Sequence, residues 1–390
     1  MLSKRSQVLS ESLTLAITAL ANDLKAKGED ILSFSAGEPD FDTPQVVKDA
    51  AIKAIEKGCG KYTNVAGLPA VLEAVQFKLK NENNLHYETS EIITNVGAKH
   101  SFFECLQCLI DENDEVIIPV PFWVSYPEMV KYAGGVPIFV QTKEENGFKM
   151  SADDLKKAIT SKTKVLILNS PSNPVGSIYN ESELKALASV LEGTKIVVLS
   201  DEMYEKLRYD AANFHAFASL SEDALNRTVT INGLSKSVAM PGWRFGYMAS
   251  KNKELNTAVK RLQGQSTSNI CSITQHAAIA ALLGKADKDI EFMRSEFEKR
   301  RNKALELLSK IDNLSVYKPE GAFYLFVNIS KIEKDSMKFC QRLLAEKKVA
   351  VVPGVGFGLD GYFRLSYATD LKSIEKGLER IVEFVRDYKA

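Results

Sequence analysis

The sequence predicts an α/β protein in which a large domain, built on a mostly parallel seven-stranded sheet covered by helices, is joined by a smaller α+β domain made from both ends of the chain. Three observations predict it. The chain has 390 residues, beyond the size at which a single core usually stops growing, so two domains around a shared cleft are expected. Short runs rich in Val and Ile recur from residue 91 onward between helical patterns. After about residue 285 that alternation gives way to a long charged amphipathic pattern followed by further short apolar runs.

The strand candidates are, in order, "EIITN", "DEVIIPV", "GVPIFVQ", "TKVLILN", "TKIVVLSD", "RTVTING" and "WRFGYMAS". Their apolar residues are consecutive rather than alternating, as in strands covered on both faces, and the helical segments between them imply right-handed crossovers. Those segments, "SFFECLQCLID", "SADDLKKAI" and "ESELKALASVLEG", carry apolar residues at spacings of three and four, and the latter two begin with Ser or Glu. Beyond them lie the amphipathic helix "KDIEFMRSEFEKRRNKALELLSKI", then "GAFYLFVNI", a further helix, "VAVVPG", "YFRLSYA" and a last helix. The expected division is a large domain over 41–290 and a small domain from 1–40 and 291–390.

Fifty basic residues balance fifty acidic ones, so no global field would gather nucleic acid or an anionic membrane. A small-molecule partner is expected. Five cysteines, an odd number in so long a chain, form no disulfide framework and fit a reducing compartment. Cys105 and Cys108 have the Cys-x-x-Cys spacing, yet no second pair or nearby His pair completes a metal site, so they read as packed helix cysteines. Polar groups interrupt the first thirty residues throughout, leaving neither a signal-peptide core nor a membrane span. A cytoplasmic protein is expected.

In open α/β sheets ligands sit beyond the carboxyl ends of the strands, so the residues that follow each apolar run bear on function. After "EIITN" come Gly97, Ala98 and Lys99, a glycine turn into a helix whose free N–H groups suit a phosphate or merely close the connection. After "DEVIIPV" comes Trp123, and after "TKVLILN" the rigid loop "SPSNPVG" with Asn173. Asp201 ends the next run, with Tyr204 three residues later; it reads as a helix cap or as a carboxylate awaiting a cation. Ser235 and Lys236 follow "RTVTING", and Arg244 comes with the next strand.

One cofactor accounts for these features together. Pyridoxal 5'-phosphate needs an amine for its aldehyde, a carboxylate for its ring nitrogen, donors for its ring hydroxyl, a flat group against the ring and a positive cradle for its phosphate. Lys236, Asp201, Tyr204 with Asn173, Trp123, and Arg244 with the turn at 97–99 would supply them in that order.

The segments "SFSAGEPDFDTP", "KYTNVAGLPA", "PFWVSYPEMV", "NSPSNPVG", "SDEMYEKL", "SKSVAMPGWRFGY" and "YFRLSYAT" resemble the class I aminotransferases of fold type I, and among them the gamma subgroup of bacterial aspartate aminotransferases. The resemblance runs in order from about residue 10 to the end of the sequence. It implies a homodimer with shared active sites and a pyridoxal-phosphate-dependent transamination. By residue, it implies that Lys236 binds the cofactor aldehyde and moves protons, that Asp201 pairs with the ring nitrogen, and that Asn173 and Tyr204 meet the ring hydroxyl. Trp123 would stack, while Arg244, Ser235, Gly97 and Ala98 would hold the phosphate together with Tyr62 from the neighbouring subunit. Arg364 would pair with the substrate α-carboxylate, assisted by the backbone N–H of Gly37. Cis peptide bonds are implied before Pro121 and Pro174.

The resemblance associates Lys99, Ser12 and Thr14 with the side-chain carboxylate of dicarboxylic substrates, which favours L-aspartate with 2-oxoglutarate. Lys99 could instead serve only the phosphate, and the pocket could take aromatic or prephenate-like keto acids. His100 stands where many relatives carry Gln and is given a structural part. A C–S lyase or synthase using the same cofactor is a rival reading. A cofactor-sensing regulator is disfavoured because about thirty residues precede the core with no basic recognition helix. The "GVGFG" run at 354–358 has the wrong glycine spacing for a dinucleotide fingerprint and reads as a loop.

Overall fold

A computed structural model describes residues 2–388. Strand β1 (Leu32–Ser33) precedes the central sheet, whose strands are β2 (Ile92–Val96), β3 (Glu115–Val120), β4 (Val136–Gln141), β5 (Thr163–Asn169), β6 (Val197–Asp201), β7 (Thr228–Gly233) and β8 (Phe245–Ser250). All seven runs read as strands thus form one sheet, in the order β2-β8-β7-β6-β5-β3-β4. Four of its six pairings are parallel; β8 is antiparallel to both β2 and β7. A run covered on both faces reads alike in either direction, which is why the sequence pattern does not reveal the reversal.

Alternation along each strand divides the core. Val116, Ile118, Val165, Ile167 and Met248 point to one face, where Phe102 and Cys105 of the helix Ala98–Leu109 cover them. Cys105 and Cys108 lie on this helix, with the Cys105 thiol 3.6 Å from the Met248 sulfur. Ile117, Leu166 and Leu168 point to the other face, against Leu184 and Leu187 of the helix Glu181–Leu191. Ser151 and Asn180 cap their helices by accepting from the third N–H, each in a reciprocal capping box.

Toward the C-terminus, β9 (Ser315–Val316), β10 (Tyr324–Asn328), β12 (Val352–Pro353) and β13 (Tyr362–Ser366) make an antiparallel sheet. Between them β11 (Val349–Ala350) pairs in parallel with β1, so an N-terminal strand joins the C-terminal elements. The long helix Asp287–Leu308 packs on the last helix, Leu371–Asp387. Residues 354–357 of "GVGFG" form a 3-10 turn.

The reversal of β8 brings together the two parts of the expected phosphate cradle. Val96 at the end of β2 lies opposite Phe245 at the start of β8, so Gly97 and Arg244 meet at the same sheet edge. Arg244 is not on the strand, as read from the sequence; it precedes β8 at φ 59, closing the 3-10 turn Pro241–Trp243.

Candidate active site

The carboxyl ends of β5, β6 and β7 open onto a cavity of about 270 Å³ that also meets β10, β13 and the start of the helix Leu13–Ala26. Lys236, in the loop after β7, is half-buried, and its ammonium donates to the Gly37 carbonyl. Burial lowers its pKa to about 8; the charges of Arg364 and Arg244 act in the same direction, and Glu38 and Asp201 oppose them.

Asp201 is buried at the end of β6. Its carboxylate accepts from Tyr126 Oη at 2.5 Å and from the Met203 N–H at 3.2 Å. Burial raises its pKa to about 6, against both hydrogen bonds and the charge of Lys236. The local N–H bond fits the capping reading of Asp201, while the Tyr126 bond and the cavity position go beyond a cap. Tyr204 is buried and shares a 2.9 Å hydrogen bond with Tyr324. Trp123 lines the cavity with Tyr126 edge-on to its ring, 5.2 Å between centroids.

At the helix entrance Gly97 has φ 77, and a Cβ there would lie 2.5 Å from Arg244 Nη2. The guanidinium is therefore seated directly on the glycine. It donates to the Pro241 carbonyl at 2.7 Å and the Val96 carbonyl at 3.3 Å. Ala98 and Ser235 line the cavity beside it. The exposed Lys99 holds its ammonium 5.0 Å over the Trp123 ring, and desolvation and the charge of Arg244 lower its pKa.

Across the cavity Arg364 of β13 is buried, donating to Asn173 Oδ1 at 3.1 Å and to the Ser35 carbonyl at 2.8 Å. Its Nε has no hydrogen-bond partner, and among the described residues no carboxylate pairs with it. Ser12 and Thr14 reach the cavity from the N-terminal helix, which Ser12 caps; the buried Thr14 hydroxyl has no hydrogen-bond partner.

Of the residues read from the sequence, Ser12, Thr14, Gly37, Ala98, Lys99 and Trp123 converge on this one cavity. So do Asn173, Asp201, Tyr204, Ser235, Lys236, Arg244 and Arg364. Gly97 stands behind Arg244, and Tyr62 is 91% exposed and does not line the cavity. His100 is absent from the lining; its Nδ1 accepts from the Val96 N–H at 3.4 Å and burial lowers its pKa. The sequence reading missed Tyr126 and Tyr324. Tyr126 sits inside the quoted "PFWVSYPEMV", but only the hydrogen bond its hydroxyl makes to the end of β6 shows that it faces Asp201. Cis peptides precede Pro121 and Pro174 as expected, and a third, unforeseen, precedes Pro171.

The donor set fits pyridoxal phosphate on grounds internal to the structure. A guanidinium, a glycine with no room for a side chain and a helix N-terminus form an anion cradle at one end. A desolvated amine and a buried carboxylate occupy the middle, and a buried guanidinium without a counter-charge among the described residues stands at the other end. The covered sheet and this edge define the class of fold type I pyridoxal-phosphate enzymes.

Comparison narrows the class. The family model for aminotransferase class I and II matches residues 29–381. Aspartate aminotransferase of Geobacillus stearothermophilus is 49% identical over 389 residues, covering 98% of both chains. A probable aspartate/prephenate aminotransferase of Rickettsia conorii is 46% identical over 391 residues, covering 97% of each. Among solved structures, aspartate aminotransferase from Thermus thermophilus with maleate superposes with a TM-score of 0.95 at 40% identity, covering 98% of this chain and 99% of the other. The chain belongs to the class I and II aminotransferases, and is a pyridoxal-phosphate-dependent enzyme.

Proposed function

We propose that this chain transfers the amino group of L-aspartate to 2-oxoglutarate, giving oxaloacetate and L-glutamate. The observation that carries the reading is that Lys236 and Asp201 line one cavity with guanidinium groups at both ends. Residues 41–290 would form the cofactor domain, and 1–40 with 291–390 the small domain.

When bound, the cofactor supplies an aldehyde that takes up the amino group and a cationic ring that draws electrons from the substrate Cα. Lys236 would hold the aldehyde, and Asp201 would face the ring nitrogen as a carboxylate. With a pKa near 6, Asp201 is mostly ionised above neutrality. Tyr204 and Asn173 would donate to the ring oxygen, Trp123 would cover the ring, and Arg244, Ser235, Gly97 and Ala98 would hold the phosphate. A lysine amine brought down to about 8 is partly neutral at physiological pH, as a base must be to take the proton from the substrate Cα and return it.

Arg364 would grip the α-carboxylate with Gly37 beside it, and Lys99, Ser12 and Thr14 the side-chain carboxylate. The unpartnered Thr14 hydroxyl and the ammonium over Trp123 support that assignment, as does the maleate, itself a dicarboxylate, of the Thermus structure. The exposed Tyr62 fits a homodimer in which it reaches the partner's phosphate site. Among the described residues no helix is long and apolar enough to cross a membrane.

The test is the absorption spectrum of the dialysed protein before and after L-aspartate, without any keto acid. Conversion of the visible lysine-bound band to the aminated cofactor, with release of oxaloacetate, is expected; a persisting band would overturn aspartate as donor. The Rickettsia relative's name makes prephenate the second acceptor to assay.

A further inference from the structure

Tyr324 is assigned no part by the sequence motifs, yet three proposed site residues meet on it. It is fully buried on β10 and lines the cavity. Its hydroxyl lies 2.9 Å from that of Tyr204, with the two rings edge-on at 79°. Phe326, two residues along the same face of β10, is opposite Arg364 in the antiparallel pairing, so Arg364 is a diagonal neighbour of Tyr324. Accordingly, the Arg364 guanidinium sits 4.4 Å over the Tyr324 ring. A methyl group on Gly37 would come within 3.4 Å of the same hydroxyl.

We propose that Tyr324 is a positioning residue that joins the cofactor side of the site to its carboxylate side, its hydroxyl orienting the Tyr204 phenol and its ring holding the Arg364 guanidinium. The hydrogen count supports the first half. Each phenol has a single hydrogen. If Tyr204 donates to the cofactor's ring oxygen, the hydrogen between the two phenols comes from Tyr324, which then aligns and polarises the Tyr204 O–H. Burial keeps both phenols protonated by raising their pKa values. For the second half, Arg364 has the Asn173 side chain and the Ser35 carbonyl as hydrogen-bond acceptors, leaving Nε free, and the aromatic faces of Tyr324 and Phe357 support its charge.

The inference rests on the proposed roles of Tyr204 and Arg364, and a double-mutant cycle separates its failure from theirs. The readout is the pH midpoint at which the visible band of the lysine-bound cofactor changes, measured in the holoenzyme. Tyr204→Phe is expected to shift the midpoint, Tyr324→Phe to shift it in the same direction by less, and Tyr324→Phe added to Tyr204→Phe to shift it no further. Tyr324→Phe keeps the ring under Arg364, so kcat falls about fivefold, the worth of one neutral hydrogen bond, with KM for aspartate within about twofold. Tyr324→Leu removes the platform and raises KM for aspartate and alanine alike, since both present an α-carboxylate. A shift by Tyr204→Phe but none by Tyr324→Phe overturns the inference alone, as does an undiminished shift in the Tyr204→Phe background. No shift by Tyr204→Phe overturns the reading of Tyr204 and this inference with it.

Discussion

Replacing Gly97 by alanine tests the phosphate cradle, and the structure gives two separable magnitudes. At φ 77 and ψ 158 the residue occupies a region open in practice to glycine alone. Holding alanine there costs about 1–3 kcal/mol, with or without cofactor, and so falls on stability rather than affinity. The second effect is steric: the new Cβ would lie 2.5 Å from Arg244 Nη2 and 3.0 Å from Cζ. The guanidinium is the mobile end of the clash and has to leave its contact with the Val96 carbonyl. Moving it away forfeits a charge-assisted hydrogen bond to phosphate, about 1.5–3 kcal/mol, or roughly tenfold to one-hundredfold in cofactor affinity. Equilibrium dialysis against a pyridoxal phosphate series, followed by absorbance, measures that loss, and thermal unfolding of the cofactor-free protein measures the strain. Arg244→Ala should lose a similar factor, and adding Gly97→Ala to it should cost little more affinity. A dissociation constant for Gly97→Ala within about threefold of the parent would refute the placement of Arg244 on the phosphate.

Three further outcomes are expected. Lys78 and Glu205 form a buried ion pair joined by Asn83 and Asn232, and Glu205→Ala leaves the ammonium only the Asn83 side-chain oxygen and the more distant Glu82 carboxylate at 3.7 Å, so it should cost about 3 kcal/mol in denaturant unfolding; a loss under about 1 kcal/mol would mean that the pair is not buried in solution. Only a neutral amine attacks an aldehyde, so the rate at which cofactor-free protein captures pyridoxal phosphate should rise with pH and level off above about 8, and a midpoint near an ordinary lysine's 10.5 would contradict the desolvation of Lys236. The Tyr126 hydroxyl holds the Asp201 pKa down against burial, so in the cofactor-free protein Tyr126→Phe should raise it above about 6, read from the pH dependence of the Asp201 carboxyl carbon resonance; an unmoved midpoint would detach Tyr126 from Asp201.

Much of the site was legible because the fold gathers residues by a local rule. Asn173, Asp201, Ser235 and Lys236 each follow an apolar run within a few positions, and parallel strands bring such positions to one edge. Tyr126 and Tyr324 obey no such rule. The first reaches Asp201 across 75 residues and the second reaches Tyr204 across 120, through packing that no short window contains. The third cis bond, before Pro171, was hidden for a related reason, since "SPSNPVG" reads as a rigid loop whichever of its prolines is cis. Arg244 lay between these cases: its nearness to Gly97 depends on the reversal of one strand, which an all-apolar run does not encode.

In the proposed roles, the two guanidinium groups would divide the work of binding by their surroundings. Arg244 is exposed, anchored by two backbone carbonyls, and well suited to a phosphate that stays in place through many turnovers. Arg364 is buried without a carboxylate partner among the described residues, and burial lowers its pKa, the sign of a charge held at a cost. A buried cation recovers part of its desolvation penalty when an anion arrives, provided that the geometry is good. The α-carboxylate of an amino acid brings that anion, whereas a simple amine does not, so in the role proposed for Arg364 its burial would make the site selective for amino acids before any contact to the side chain is made. Lys99 is exposed and keeps part of its solvent shell, so in its proposed role its pull on a second carboxylate would be weaker and screened by salt. On the proposed roles, the selection among amino acids would therefore rest on the lesser interaction.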